Sequence, residues 1–343
     1  MPPMVQRRNL ITDVKGIRVG NAHDASVMSG VTVLLTDKPA VAAVDARGGG
    51  LGTRETDALA PAGTVGEVHG LVLSGGSAFG LNAATGVQAW LAARGIGFQV
   101  RSARVPIVPQ AILFDLLNGG DKAWGRSPPY EAMAWTAADA AAHDFALGSH
   151  GAGFGATTAT LRGGLGSAST VLDDGSVVGA LAAVNPAGCV SINRSAHFWS
   201  APFEHDGEFG GRGWPDPMPA SAHTPVLKSA AGESTVLAIV ATSAALTRGQ
   251  AMRLAIMAQT GLTRAVYPVH TPLDGDIVFA VATGHDPAPD PVAGLARLGA
   301  AAAVTLARAV ARGVHEAAPV PPCWQGPLSW QERFGRTRSG DAP

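Results

Sequence analysis

Short apolar, β-branched runs recur along the chain between Gly-rich turns, and they set the first expectation. Residues 31–35, 40–44, 71–73, 177–184, 235–241 and 277–282 read as strands. Helical patterns lie between them. Residues 81–93 follow the Gly75-Gly76 turn, and 137–146 are Ala-rich. A third helix runs from an N-cap at Thr247 through residue 260 to a stop at Gly261. The last begins with Asp290 as N-cap and Pro291 at its first position and runs to Gly313. Strands and helices are grouped rather than strictly alternating, which favours a layered α+β sandwich over a doubly wound parallel sheet.

One segment breaks the pattern. Residues 201–233 are rich in Gly, Pro, Ser and acidic side chains and hold no sustained period, the composition of a flexible linker. It runs directly into Ser234-Thr235 and the apolar strand VLAIVA. Two readings of this junction stay open on pattern alone. It is an interdomain linker before a strand that begins with Ser, or it is a device that presents a hydroxyl at the start of a buried strand.

Composition narrows the function classes. Of the 343 residues 46% are hydrophobic and 15% charged, enough to bury a sizeable core. Lys plus Arg (25) nearly balance Asp plus Glu (26), so the basic excess of a nucleic-acid binder is missing. Two cysteines, Cys189 and Cys323, imply neither a disulfide framework nor a redox pair. The first twenty residues contain no signal-like apolar run, and the apolar stretch 291–312 carries Arg297, Arg308 and Arg312, too many charges for a membrane span. A soluble cytoplasmic protein is the plain expectation.

The common catalytic motifs are missing as well. Gly75-Gly76-Ser77-Ala78-Phe79 lacks the last glycine of a nucleophile elbow, no phosphate-binding loop opens a helix, and ten scattered histidines form no metal-ligand pattern. No metal or cofactor is therefore expected. Three local features carry potential chemistry. Asp274-Gly275-Asp276 at a strand entrance would orient an amine and a hydroxyl, or is a tight turn. Asn185, after a strand, would donate to an oxyanion, or starts an Asn-Pro turn. Arg162 in Leu-Arg-Gly-Gly would act electrostatically, or is a solvated turn residue.

Taken together, eight segments resemble one family. They are ITDVKGIRVG (residues 10 to 20, read with Leu10), VDARGGGLGTRETD (44–57), HGLVLSGGSAFGLNAATGV (69–87), VPIVPQAILFDL (105–116), GAGFGATTATLRGGLGSAS (151–169), VGALAAVNPAG (178–188), GESTVLAIVAT (232–242) and HTPLDGDIVFAVAT (270–283). In this order they are similar to the L-aminopeptidase/D-esterase family, which includes β-peptidyl aminopeptidases and the endo-type 6-aminohexanoate (nylon) oligomer hydrolase. The resemblance implies a four-layer αββα sandwich shared with ornithine acetyltransferases. It implies self-cleavage between Glu233 and Ser234 into an α fragment (1–233) and a β fragment (234–343), and assembly of the resulting heterodimers into a larger homo-oligomer. Ser234 matches the processed nucleophile, Asn185 the oxyanion-side asparagine, Arg162 a family lysine, and Asp274 and Asp276 the carboxylate pair of the nylon-oligomer enzyme.

The chemistry fits that match. A serine hydroxyl needs a base, and a free α-amine, with a pKa of about 7.7–8.0, is partly unprotonated at neutral pH. Ser234 has such an amine only after the preceding bond is cut. Two departures bear on substrate: Phe114 stands where relatives carry a tyrosine, and Ile112 where the aminopeptidases place a glutamate. An apolar wall at Ile112, Leu113 and Phe114 would suit uncharged aliphatic chains. The expected activity is hydrolysis of short linear amides (small peptides, β-peptides or 6-aminohexanoate-type oligomers) through an acyl-enzyme. The alternatives are acyl transfer to an amine on the same fold, and a non-cleaving, non-catalytic scaffold.

Overall fold

A computed structural model of the protein describes residues 7–228 and 234–335. The strands are β1 (Ile17–Asp24), β2 (Ser29–Ala46), β3 (Thr53–Arg54), β4 (Glu67–Ser74), β5 (Phe98–Val100), β6 (Ala103–Val105), β7 (Gln110–Ile112), β8 (Gly164–Val171), β9 (Val177–Asn185), β10 (Thr235–Ala244) and β11 (Ile277–Asp286). The helices are α1 (Ala83–Ala92), α2 (Tyr130–Asp139), α3 (Arg248–Ala265), α4 (Ala293–His315) and α5 (Trp330–Phe334). Nine strands form one sheet in the order β3-β7-β4-β2-β11-β10-β9-β8, with β1 also paired to β2, while β5 and β6 make a separate hairpin.

Alternation along the strands builds the layers. Val236, Ala238 and Val240 of β10 share a core with Leu254, Ala258 and Leu262 of α3 and Leu306 and Val310 of α4. Their neighbours Leu237, Ile239 and Ala241 point the other way, into a core with Leu34, Leu71 and Leu73 of the β2–β4 half. In that half Val31, Val33 and Leu35 face outward onto Trp90, Tyr130 and Ala134 of α1 and α2. The sheet thus lies folded, half against half, with a helical pair on each outer face. This is the αββα sandwich.

The two runs 31–35 and 40–44 are halves of one long strand. β2 pairs with β4 up to Leu35 and again from Ala40, with a register shift between. Its far end, from Val41 to Ala46, pairs with β11. The polar Asp37-Lys38-Pro39 triplet marks a bulge that carries the strand from one half to the other, not a turn. The third helix starts as expected, with Thr247 closing a capping box with Gln250. It does not stop at Gly261. A Cβ there would sit 2.3 Å from the Ala303 carbonyl oxygen, so this glycine allows α3 to lie close against α4. The Ala-rich helix is displaced to Tyr130–Asp139, beginning just after Pro129.

The 201–233 segment is not a free linker over its described part. Phe209 is buried in the outer core, and the Glu208 carboxylate accepts from Arg308 of α4 at 2.5 and 3.0 Å. Residues 229–233, with Glu233 among them, lie outside the described residues. Helix α4 is long and apolar enough to cross a membrane by length and composition, but 67% of that stretch is buried inside the molecule.

Candidate active site

Ser234 sits immediately before β10, at the mouth of the fold between β9 and β11. It forms a parallel bridge with Asp274, and Thr235 pairs with Asn185 across β9. Its carbonyl accepts from the Gly275 N–H at 2.8 Å. The Ser234 hydroxyl is buried and finds no hydrogen-bond partner among the described residues.

Both aspartates beside it are fully buried and held by donors from three segments. Asp274 accepts from Ala187 N at 2.9 Å and from Thr271 N and Oγ1, each at 2.8 Å. Asp276 accepts from Val236 N at 2.7 Å and from His270 through its backbone N (3.1 Å) and Nδ1 (2.9 Å). The Asp-Gly-Asp segment is clasped from outside by the 47–50 loop: Arg47 N donates to the Asp276 carbonyl and Gly50 N to that of Asp274. Gly275 lies so close that a Cβ would come within 2.6 Å of Gly50 O and 2.7 Å of Thr235 Oγ1. Burial first, and then the charge of Asp276, holds the Asp274 carboxyl above the usual carboxylate range.

Asn185, at the end of β9, is fully buried. Its Oδ1 accepts from Thr157 N at 2.9 Å and Lys228 Nζ at 3.0 Å, and its Nδ2 donates to Phe114 O at 3.1 Å. Phe114, Thr157 and Lys228 line a cavity of about 370 Å³, together with Asp115, Asn118 and Leu227. Three groups that hold Asn185 thus form part of the cavity wall.

The remaining sequence candidates are placed differently. Arg162 turns its guanidinium to the C-terminal segment. It donates to the carbonyls of Ala318, Pro319 and Phe154 and stacks 4.7 Å above the Trp324 ring. Burial lowers its pKa to about 10 against the opposing pull of Glu332. None of these contacts reaches Ser234 or the aspartates. Arg162 touches the site only through its backbone bridge to Thr157. Ile112 is buried on β7 against Gly52, and Leu113 is fully buried; of the expected apolar wall only Phe114 faces the cavity. In place of that wall the cavity holds a carboxyl, an amide and an ammonium.

Two further side chains adjoin the candidate residues. His270 is the side-chain partner of Asp276, with its Nε2 buried and unpartnered among the described residues. Lys228 is one of only four lysines in the chain, the sole signal that the linker carried a placed cation. Among the described residues no three His, Cys, Asp or Glu side chains are grouped to hold a metal ion.

The model of peptidase family S58 matches residues 9–323. An uncharacterized aminopeptidase of Mycobacterium tuberculosis is 44% identical over 336 residues, covering 91% of this chain and 95% of the relative. A 6-aminohexanoate-oligomer endohydrolase of a Kocuria species is 29% identical over 290 residues, 81% of this chain and 76% of the relative. Among solved structures, a Burkholderia β-aminopeptidase superposes with a TM-score of 0.68 at 23% identity, over 98% of this chain and 96% of that one. The L-aminopeptidase D-Ala-esterase/amidase of Ochrobactrum anthropi, described as a variant of the Ntn hydrolase fold, gives 0.67 at 22% identity, over 96% and 94%.

Proposed function

The chain belongs to peptidase family S58, a hydrolase of peptide-type amide bonds, and from that premise we propose that it cuts itself before Ser234 and then uses Ser234 as an N-terminal nucleophile. The observation that carries the reading is the placing of Ser234, bridged to buried Asp274 and next to the Thr235–Asn185 pair, with a buried hydroxyl that has no partner among the described residues. In the first step the hydroxyl oxygen attacks the Glu233 carbonyl carbon. The C–N bond breaks, the hydroxyl proton passes to the departing Ser234 nitrogen, and an ester links the two parts. Water then cleaves the ester, leaving a Glu233 carboxylate and a free Ser234 hydroxyl and amine. In turnover the amine takes the hydroxyl proton as Ser234 attacks a substrate amide, the leaving amine recovers that proton, and water releases the acyl group. Asn185 and backbone N–H groups stabilise the oxyanion in both reactions.

The cavity lining supports short linear amides with an aliphatic body and polar ends, such as small peptides, β-peptides or 6-aminohexanoate oligomers. Phe114, Leu117 and Leu227 offer apolar surface, and Asp115, Asn118 and Lys228 make part of the lining polar. Association of the cut heterodimers into a larger assembly belongs to the same reading. It is supported by Phe98, Val100 and Val105, apolar side chains exposed on the β5–β6 hairpin, and native mass measurement tests it.

The decisive experiment is a denaturing gel with N-terminal sequencing. Active protein is expected as fragments of 233 and 110 residues, the smaller beginning Ser-Thr-Val-Leu. Ser234→Ala abolishes cleavage and hydrolysis with the fold intact, while Ser234→Thr keeps part of both. An intact chain that hydrolyses amides overturns the proposal.

A further inference from the structure

Lys228 lies six residues ahead of Ser234, on the segment that self-cleavage would detach from it. Its backbone N–H donates to Ala187 O at 3.0 Å, and its ammonium donates to both oxygens of Asn185, the carbonyl at 3.1 Å and Oδ1 at 3.0 Å. We infer that Lys228 is a positioning residue that fixes and polarises Asn185 as the oxyanion donor. This rests on the self-cleavage reading above and names what sets its asparagine.

Three features of the geometry lead there. A carboxamide has two orientations that differ by exchange of its oxygen and nitrogen, and only its nitrogen donates. Thr157 N–H and the Lys228 ammonium, both obligate donors, converge on one end of the Asn185 side chain, so that end is the oxygen. The nitrogen is thereby held on the side of Phe114 O, and the donor is set before any charge develops. Next, a cation on the carboxamide oxygen draws electron density from the nitrogen and makes its N–H groups stronger donors, an effect that grows in a buried site. Asn185 is fully buried. Finally, Lys228 is anchored twice to the Asn185–Ala187 strand end by bonds that involve neither Glu233 nor Ser234. Cutting the chain after Glu233 leaves those anchors in place, so the same cation serves self-cleavage and turnover.

Arg162 does not supply this charge, because its guanidinium is committed to the carbonyls of Ala318, Pro319 and Phe154. Lys228 also forms part of the cavity wall beside Leu227. A residue that only shaped this wall would alter substrate affinity. One that acts through Asn185 alters the chemical steps.

The test uses the full chain as wild type, Lys228→Met, Lys228→Gln and Lys228→Arg. Self-cleavage is followed by intact mass after synthesis, and kcat and KM are measured on cut protein with a 6-aminohexanoyl p-nitroanilide. Lys228→Met and Lys228→Gln are expected to slow self-cleavage by 10-fold or more and to lower kcat by a similar factor with KM within twofold. Lys228→Arg restores most of both. The neutral Gln variant keeps a donor on Asn185, so its loss isolates the charge even where the Met variant folds poorly. Cleavage within threefold of wild type in the Met or Gln variant, an effect confined to KM, or an Arg variant no better than Gln overturns the assignment of Lys228. A wild-type chain that stays uncut instead overturns the self-cleavage reading on which it rests.

Discussion

In the proposed mechanism Asp274 and Asp276 orient the amine and hydroxyl of Ser234, and what already holds them sets how. Each accepts two hydrogen bonds on Oδ2 and one backbone N–H on Oδ1, from Ala187 for Asp274 and Val236 for Asp276, which leaves one acceptor site, on Oδ1, for Ser234 after the proposed cut. Replacing either by Asn removes charge at nearly constant shape, and we expect roughly 10²-fold slower self-cleavage and turnover. Because burial and Asp276 raise the Asp274 pKa, its carboxylate begins to take up a proton at a higher pH than a surface aspartate would. The acid limb of the rate profile should therefore lie above the ordinary carboxylate range and lose that component in Asp274→Asn. A limb unchanged by the substitution would rule Asp274 out as its source. His270 acts one step further away. A hydrogen bond to a charged group is worth about 1.5–3 kcal/mol, so His270→Ala, which removes the imidazole bond to Asp276 Oδ2 and keeps only the backbone one, should slow both reactions by roughly 10–100-fold. Equal rates in this variant and the wild type would leave the His270–Asp276 contact a structural one.

At the scale of elements, the joint between the 201–228 segment and α4 has a pH signature. Burial opposes ionisation of Glu208, but Arg308, then the Asn9 amide and then Arg312 outweigh it and hold the carboxyl below the usual glutamate range. A depressed folded-state pKa contributes stability that is present above the unfolded value and lost as pH falls through the folded one. Unfolding midpoints should therefore drop on acidification below the ordinary glutamate range. Glu208→Ala should abolish that component and cost about 3–5 kcal/mol at neutral pH, since it leaves buried Arg308 without its ion pair. A variant as stable as wild type at pH 7 would contradict this. Such joints are also where the sequence was least legible. β9, β10 and β11 announced themselves because continuous apolar runs bury both faces, and the α3 start because a capping box is local. β8, Gly-Leu-Gly-Ser-Ala-Ser-Thr-Val, has no such run. It is a strand because α4 packs directly on it, with Ala309 O where a Cβ of Gly166 would be. An Ala-rich stretch has no hydrophobic phase, so only the proline pair before Tyr130 fixed where α2 begins. The Asp-Gly-Asp pair and Asn185 were visible as residues in recognisable segments. Lys228 was not, because it gains its meaning from Asn185, a partner 43 residues away that folding brings close, and His270, though inside such a segment, shows its bond to Asp276 only once the turn between them is built.

For the whole molecule, the position of the proposed cut before Ser234 decides whether cleavage is a maturation or a dissociation. Strands β10 and β11 begin the β fragment, and they occupy the middle of the sheet, with β9 on one side and β2 on the other, both from the α fragment. Helix α4 packs on β8 and β9, so the outer core on that face is built from both fragments. The inner core likewise mixes Leu237, Ile239 and Phe279 with Leu34, Leu71 and Leu181. Separating the fragments would expose all of these side chains, at about 1.5–3 kcal/mol for each large apolar one, and would strip two ladders of backbone hydrogen bonds from the sheet centre. The proposed broken bond lies between Lys228, bonded to the end of β9, and Ser234, bridged to Asp274, so its loss is a modest entropic change. Cut protein should therefore elute at the size of the uncut Ser234→Ala chain, or of the same assembly of it. Both fragments should appear in a fixed one-to-one ratio, and thermal melting should show a single cooperative transition in which they are lost together. Should the 110-residue fragment elute alone under native conditions, the interleaved sheet would not be what holds the mature enzyme together.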